Sequence, residues 1–253
     1  MIKTIGIIGS GNVAWHLVRG FVNLPSITIK WITSRNEKTG AYLAEMANVK
    51  YSSTIPDDSV DLVLICVNDD AINEVVSSIA SSTKLAYTSG TISIEKLGVK
   101  HNNLGVFYPL QTFTKGKEVE LKNVPFLIES NNQKFSIELI ELAQQLSENV
   151  QEMNSEQRKQ LHIAAVFSNN FVNHLLFLAQ EHLKENNIEQ EILNPLIRET
   201  VNKAFELNPF QAQSGPAKRN DKTTIASHLN ELTGLQKDIY SLITDSIIKT
   251  YSK

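Results

Sequence analysis

The chain has 253 residues, 42% of them hydrophobic, which is more than one compact domain needs and enough for a sizeable core. Its 24 basic and 27 acidic side chains leave a net charge of −3, without the basic excess that a nucleic-acid partner requires. A single cysteine, Cys66, excludes an internal disulfide and fits a reducing cytoplasm. No stretch approaches about 18 uninterrupted apolar residues, so neither a membrane span nor a secretory leader is expected.

Thr4–Ile8 reads as a short buried strand. A Gly-rich turn follows, and then Val13–Phe21, whose apolar residues recur at helical spacing. Ile27–Ile32 is β-branched and predicts a second strand; Lys38–Ala47 predicts a helix. Val60–Val67 is a near-continuous apolar run, as a central parallel strand covered on both faces would have. Asp70–Ile79 is helical in pattern, and Leu85–Thr88, Leu104–Pro109 and Pro125–Glu129 are further strand candidates. Alternation of strand and helix predicts a doubly wound α/β domain over residues 1–153 with a parallel sheet. From Ser155 strand signals vanish. Ser155–Lys184, Glu189–Glu206 and Thr223–Lys249 all carry helical periodicity, so residues 154–253 form an all-α domain, with Ser155 as the capping residue of its first helix.

The strongest motif is Gly9-Ser10-Gly11-Asn12-Val13-Ala14, a GxGxxA turn directly after a strand and before a helix. Gly9 permits the tight turn, Gly11 lets a pyrophosphate approach the backbone, and Ala14 allows close helix–strand packing. Unpaired N–H groups at the helix start then face the phosphates. At the end of the second strand stand Thr33-Ser34-Arg35-Asn36, with no carboxylate before Glu37. Arg35 offers a fork to a 2′-phosphate and Ser34 a hydroxyl, so NADP is preferred over NAD. Val67 and Asn68 follow a strand end and edge the same crevice, while Asp69 or Asp70 reads as a helix cap.

Further stretches narrow the class: Thr88-Ser89-Gly90-Thr91, Tyr108-Pro109 with Leu110–Phe113, Leu161–Ala165 with Ser168-Asn169-Asn170, and Ser214–Asp221. With the motifs above, these resemble the pyrroline-5-carboxylate reductase and 6-phosphogluconate dehydrogenase-like superfamily. Within it they resemble Rossmann-like NADP oxidoreductases that carry a C-terminal domain of unknown function, number 2520. The resemblance spans nearly the whole chain. It departs at Tyr108-Pro109, where the family commonly has His-Pro, and at Arg219-Asn220-Asp221, where it has Arg-Gly-Asp. His162 stands where the related reductases carry a lysine.

A hydride-transfer enzyme must orient its substrate and manage one proton. Histidine is the side chain suited to exchange a proton near neutral pH, and His162 shares a helical face with Asn169 and Asn170, so the expected catalytic set is His162, Asn169, Asn170 and Ser89. A buried structural histidine fits His162 equally well, and Ser89 has a turn serine as its alternative. Tyr108, Lys218 and Arg219 are candidates for substrate contact, the two cations as clamps for a carboxylate. Asp221 reads as the cap of the last helix, and His228 is a weaker candidate. The histidines lack metal-ligand spacing, so no metal is expected.

The partners expected are a small-molecule substrate and a second copy of the chain, joined through the helical domain, with neither nucleic acid nor membrane. The helical half is expected to close over the nicotinamide. A non-catalytic dinucleotide sensor and a deazaflavin-linked oxidoreductase are the alternative functions.

Overall fold

The structure is a computed structural model that describes residues 1–98 and 100–252. The elements run β1 (Thr4–Ile8), α1 (Asn12–Val22), β2 (Thr28–Thr33), α2 (Glu37–Met46), β3 (Tyr51–Ser52), β4 (Leu62–Ile65), α3 (Asp69–Ser77) and β5 (Leu85–Tyr87). Then come β6 (Leu104–Pro109), β7 (Phe126–Ser130), α4 (Gln133–Gln144), β8 (Val150–Glu152) and α5 (Ser155–Ala165). A π-helical stretch, Val166–Phe171, leads into α6 (Val172–Glu185), followed by α7 (Asn194–Leu207), α8 (Pro209–Ala212), α9 (Lys222–Glu231) and α10 (Gly234–Tyr251).

The strands form one eight-stranded sheet in the order β3-β2-β1-β4-β5-β6-β7-β8. The order reverses between β1 and β4, which is the point where open α/β sheets hold their ligands. All four residues of β4 are buried. Leu62 and Leu64 face the core shared with Leu17 and Phe21 of α1, whereas Val63 and Ile65 face the core shared with Ile72 and Val76 of α3. Alternate side chains thus bury on opposite faces, which explains the unbroken apolar run.

The expected parallel sheet needs one correction. β7 runs antiparallel to β6, and β8 is then parallel to β7. Between β6 and β7 the chain forms no α-helix, only a short 3₁₀ turn at Leu121–Asn123, so nothing provides a parallel crossover and the strand returns as a wide hairpin. The next crossover contains α4 and restores the parallel sense.

Contacts divide the chain into two units, Met1–Asn169 and Asn170–Lys253. Helical sequence begins at Ser155, where the texture changes, yet residues 155–169 belong with the sheet. Ser155 is not the cap. Asn154 caps α5 by accepting from the Gln157 N–H at 2.9 Å in a capping box, and Ser155 Oγ donates to Glu129 at 2.8 Å. Neither Asp69 nor Asp70 caps α3: Asn68 holds the cap position, and both carboxylates lie in the first turn, where they complement the helix dipole. The expected single helix Thr223–Lys249 is two helices, broken at extended Thr233 and left-handed Gly234 (φ +52°). Asp221 caps the first of them, accepting from the Thr224 N–H at 3.1 Å, as its sequence position implies.

In the second unit only Ala217 and Thr244 are buried among the described residues. Its helices line a groove of about 620 Å³ between α6, α9 and α10. The helical run Ser155–Glu185 contains one 18-residue window of mean hydropathy 1.2, enough by length and composition to qualify as a membrane span. Such a window arises even though its apolar residues are interrupted by polar ones.

Candidate active site

The Gly-rich turn lies at the sheet's reversal. Gly9 adopts φ +113°, and a Cβ there would stand 2.1 Å from the Cys66 carbonyl oxygen, so only glycine fits. Gly11 holds the cap position of α1 with no side-chain cap bond, and the space a Cβ would enter is open within 4 Å. The first-turn amides of Asn12, Val13 and Ala14 therefore begin a helix whose positive end no side chain covers. Buried Ala14 packs the helix onto the sheet. Asn12 Oδ1 accepts from the Lys115 N–H at 3.4 Å. A cavity of about 550 Å³ runs from this turn past Thr33–Asn36, Ser53–Ile55, Cys66–Asn68 and Ala71. Burial pushes the Cys66 thiol up to about 12, so it lines the cavity as an inert neutral group.

At the end of β2, Arg35 is exposed at the cavity rim and has no carboxylate partner among the described residues. The hydroxyls beside it are already committed. Ser10 Oγ donates to Ser34 Oγ at 3.0 Å and bonds Thr39 Oγ1 at 2.6 Å, while Ser34 Oγ donates to the Asn36 carbonyl at 2.7 Å. The expectation that Ser34 donates to a phosphate is therefore corrected: its one proton is used inside the turn. Ser10 likewise turns its side chain into this network, which leaves its backbone to face the cavity. Asn36 caps α2, accepting from the Thr39 N–H at 3.0 Å. The exposed side chain of Asn68 makes no cap bond, and Val67 is half-buried beside it.

A second cluster gathers at the ends of β5 and β6. Tyr108, at the end of β6, hydrogen-bonds His162 Nδ1 of α5 at 3.2 Å. Both groups press against Gly90, where a Cβ would meet His162 Nδ1 at 2.7 Å and Tyr108 Cζ at 2.8 Å. One turn before His162, Arg158 is almost wholly buried and pairs with Glu129 of β7. Arg158 also donates to the Ile92 carbonyl and, at 3.4 Å, to Ser155 Oγ, while its Nε finds no partner. Burial raises the Tyr108 phenol above its ordinary value; the Arg158 charge opposes this and Asp69 adds to it. Asp69 accepts from the Thr91 hydroxyl.

Ser89 is a turn serine. Its Oγ accepts from the backbone N–H groups of Thr91 and Ile92, both at 3.1 Å, and the residue is buried. These bonds use the oxygen as acceptor and fit the turn-serine alternative. Asn169 and Asn170 are exposed in the π-helical stretch, where the turn widens beyond 3.6 residues, so helical offsets counted from His162 do not carry through. Lys218 donates to the Gln213 carbonyl at 2.8 Å and lies 5.2 Å over the Tyr251 ring, which ties its charge to its own unit. Arg219 is exposed, and His228 bonds the Tyr240 hydroxyl at 2.8 Å. Arg158 and Glu129 were not singled out from sequence, and Gly90 only as part of the Thr88-Ser89-Gly90-Thr91 stretch. The available signal was an arginine at i−4 to His162 on a helix face, with a glutamate ending a strand.

This fold and this uncapped Gly-rich turn define a dinucleotide-binding protein of the Rossmann type. Residues 4–93 match the family described as NADP oxidoreductase, coenzyme F420-dependent, and residues 124–247 match the domain of unknown function DUF2520. A Bacteroides fragilis protein described as a "putative NADP oxidoreductase" is 34% identical, with 98% of each chain covered and a TM-score of 0.90. The chain belongs to this family of Rossmann-like NADP oxidoreductases with a DUF2520 C-terminal domain. More distant likeness is of fold alone. The 1-pyrroline-5-carboxylate reductase of Streptococcus pyogenes is 18% identical, with 98% of this chain and 97% of that one covered, and a TM-score of 0.62. An imine reductase of Myxococcus stipitatus, in complex with NADP⁺, is 13% identical, with 99% and 93% covered and a TM-score of 0.66. None of the curated proteins matches the chain.

Proposed function

We propose that the protein transfers a hydride between NADP(H) and a C=O or C=N bond of a small, carboxylated substrate. The observation that carries this reading is the uncapped start of α1 over an open hollow, with unpaired Arg35 at the rim of the same cavity. The amides of Gly11 to Ala14 would hold the pyrophosphate and Arg35 the 2′-phosphate, with Val67 and Asn68 along the ribose side. The nicotinamide, when bound, supplies or accepts the hydride. His162 manages the proton and Asn169 orients the substrate.

Thermal shift with NADPH and NADH tests the cofactor choice. A ligand at a hundredfold excess over Kd raises stability by about 2.7 kcal/mol. NADPH should give the larger shift, and Arg35→Ala should abolish the difference. Equal shifts for both dinucleotides in the unaltered protein contradict the role of Arg35. Turnover that requires a deazaflavin probe, such as coenzyme F420, would move the reading to hydride exchange between two cofactors.

We further propose that the helical unit pairs with a second copy. Ile192, Leu196, Phe205, Phe210, Leu235 and Leu242 are all exposed, Phe205 at 85% and Leu242 at 72%. Exposed apolar surface in a unit with so few buried residues supports a partner that covers it. Sedimentation velocity should give a dimer, and Leu196→Glu with Phe205→Glu should give monomers. A monomer that binds only in the presence of lipid vesicles would assign the surface to a membrane instead.

A further inference from the structure

Resting on the hydride-transfer reading, we propose that Tyr108 is the group that meets the substrate's reacting heteroatom, with His162 behind it as the proton reservoir. Three observations converge. The phenol oxygen and His162 Nδ1 are within hydrogen-bond distance at 3.2 Å. Gly90, at the end of β5, presents no side chain, so the pair occupies the space a Cβ would take. Arg158, at i−4 on α5, is locked to Glu129 and to the Ile92 carbonyl, which fixes the helix that carries His162 against β7 and the loop after β5. The cluster lies at the carboxyl ends of two parallel strands, where ligands of such sheets bind.

The proton bookkeeping closes. In the reducing direction the Tyr108 O–H bond breaks and its proton goes to the substrate oxygen or nitrogen. The phenol oxygen takes the Nδ1 proton of the His162 imidazolium, so tyrosine ends as it began. Neutral imidazole then regains a proton from solvent, and the oxidative direction reverses each transfer. A tyrosine acting alone would have to stay a buried phenolate, a form that burial disfavours. The charged groups that reach the pair are Arg158 on α5, Glu129 on β7 and Asp69 at the start of α3. Arg158 is a positioning residue in this scheme; it acts through His162 and through its charge.

Two readouts test the assignment. In the protein without cofactor, the ¹⁵N resonances of the His162 ring report its titration, and Tyr108→Phe should move the midpoint. In turnover with NADPH, pyruvate and 1-pyrroline-2-carboxylate serve as carbonyl and imine probes. Tyr108→Phe and His162→Gln should each lower kcat by about a hundredfold with NADPH binding unchanged, and the double variant should be no worse than either. Gly90→Ala, which forces the pair apart while keeping both groups, should show the same loss. An unmoved titration overturns the proposal. So does a moved titration with kcat within about twofold, which marks a structural contact, and so do losses that multiply in the double variant. Failure of the hydride-transfer reading shows elsewhere, as NADPH binding without turnover of either probe by the unaltered protein, and it removes this assignment with it.

Discussion

Hydroxyl protons decide much of what each residue can do here. Ser10, Ser34 and Thr39 share one chain of bonds that ends on the Asn36 carbonyl, so the hydroxyls nearest the expected phosphate are spent on holding the turn. That leaves backbone amides and Arg35 as the groups that the proposed phosphate contacts would use. Gly9 and Gly11 differ in the same way. The first is fixed by a carbonyl 2.1 Å from where its Cβ would be; the second faces open space, so the fold does not require its glycine. Ser89 and Tyr108 divide similarly, one spent on a turn and the other left with its hydroxyl on a histidine.

At the scale of elements, a carboxylate ties two central strands together where they begin. Asp61 accepts from the Lys3 and Thr4 N–H groups at 2.9 and 2.8 Å, which joins the start of β1 to the entry of β4. The Lys3 bond holds its carboxyl below the ordinary value; partial burial opposes this and the Thr4 bonds add to it. A depressed folded-state value means the contribution is complete above the unfolded value near 4 and lost as pH falls through the folded one. Asp61→Asn should therefore lower Tm at pH 7, and the difference should shrink between about pH 5 and about pH 2. A difference independent of pH would contradict it. The elements most legible from sequence were those whose burial sets their pattern: β1 and β6 fall where the apolar runs put them, and α1 to α3 within one or two residues. Two-residue β3 and edge strand β8 carry no apolar run, so they left no signal. The sense of β7 was hidden because strand direction depends on the connection, not on the strand.

For the whole molecule, the alternation of β and α over the first half gave the architecture, and the turn at Gly9 gave the nucleotide site, because both follow from local chemistry. The Tyr108–His162 pair was legible only as two separate candidates, since residues 54 positions apart meet through the sheet. Nothing in the sequence pairs Arg158 with Glu129, and only packing brings the two together. The exposed apolar helices of the second unit were readable as amphipathic faces, and their covering by a second copy is what sedimentation will test.

The most direct measurement is calorimetric titration of NADPH into the unaltered protein and into Gly11→Asp. An aspartate there would cap α1 with its own carboxylate and set a negative charge in the hollow. The expected result is an unchanged or higher Tm with NADPH affinity reduced at least about tenfold. Equal affinity in the two proteins would mean that no pyrophosphate rests on the start of α1.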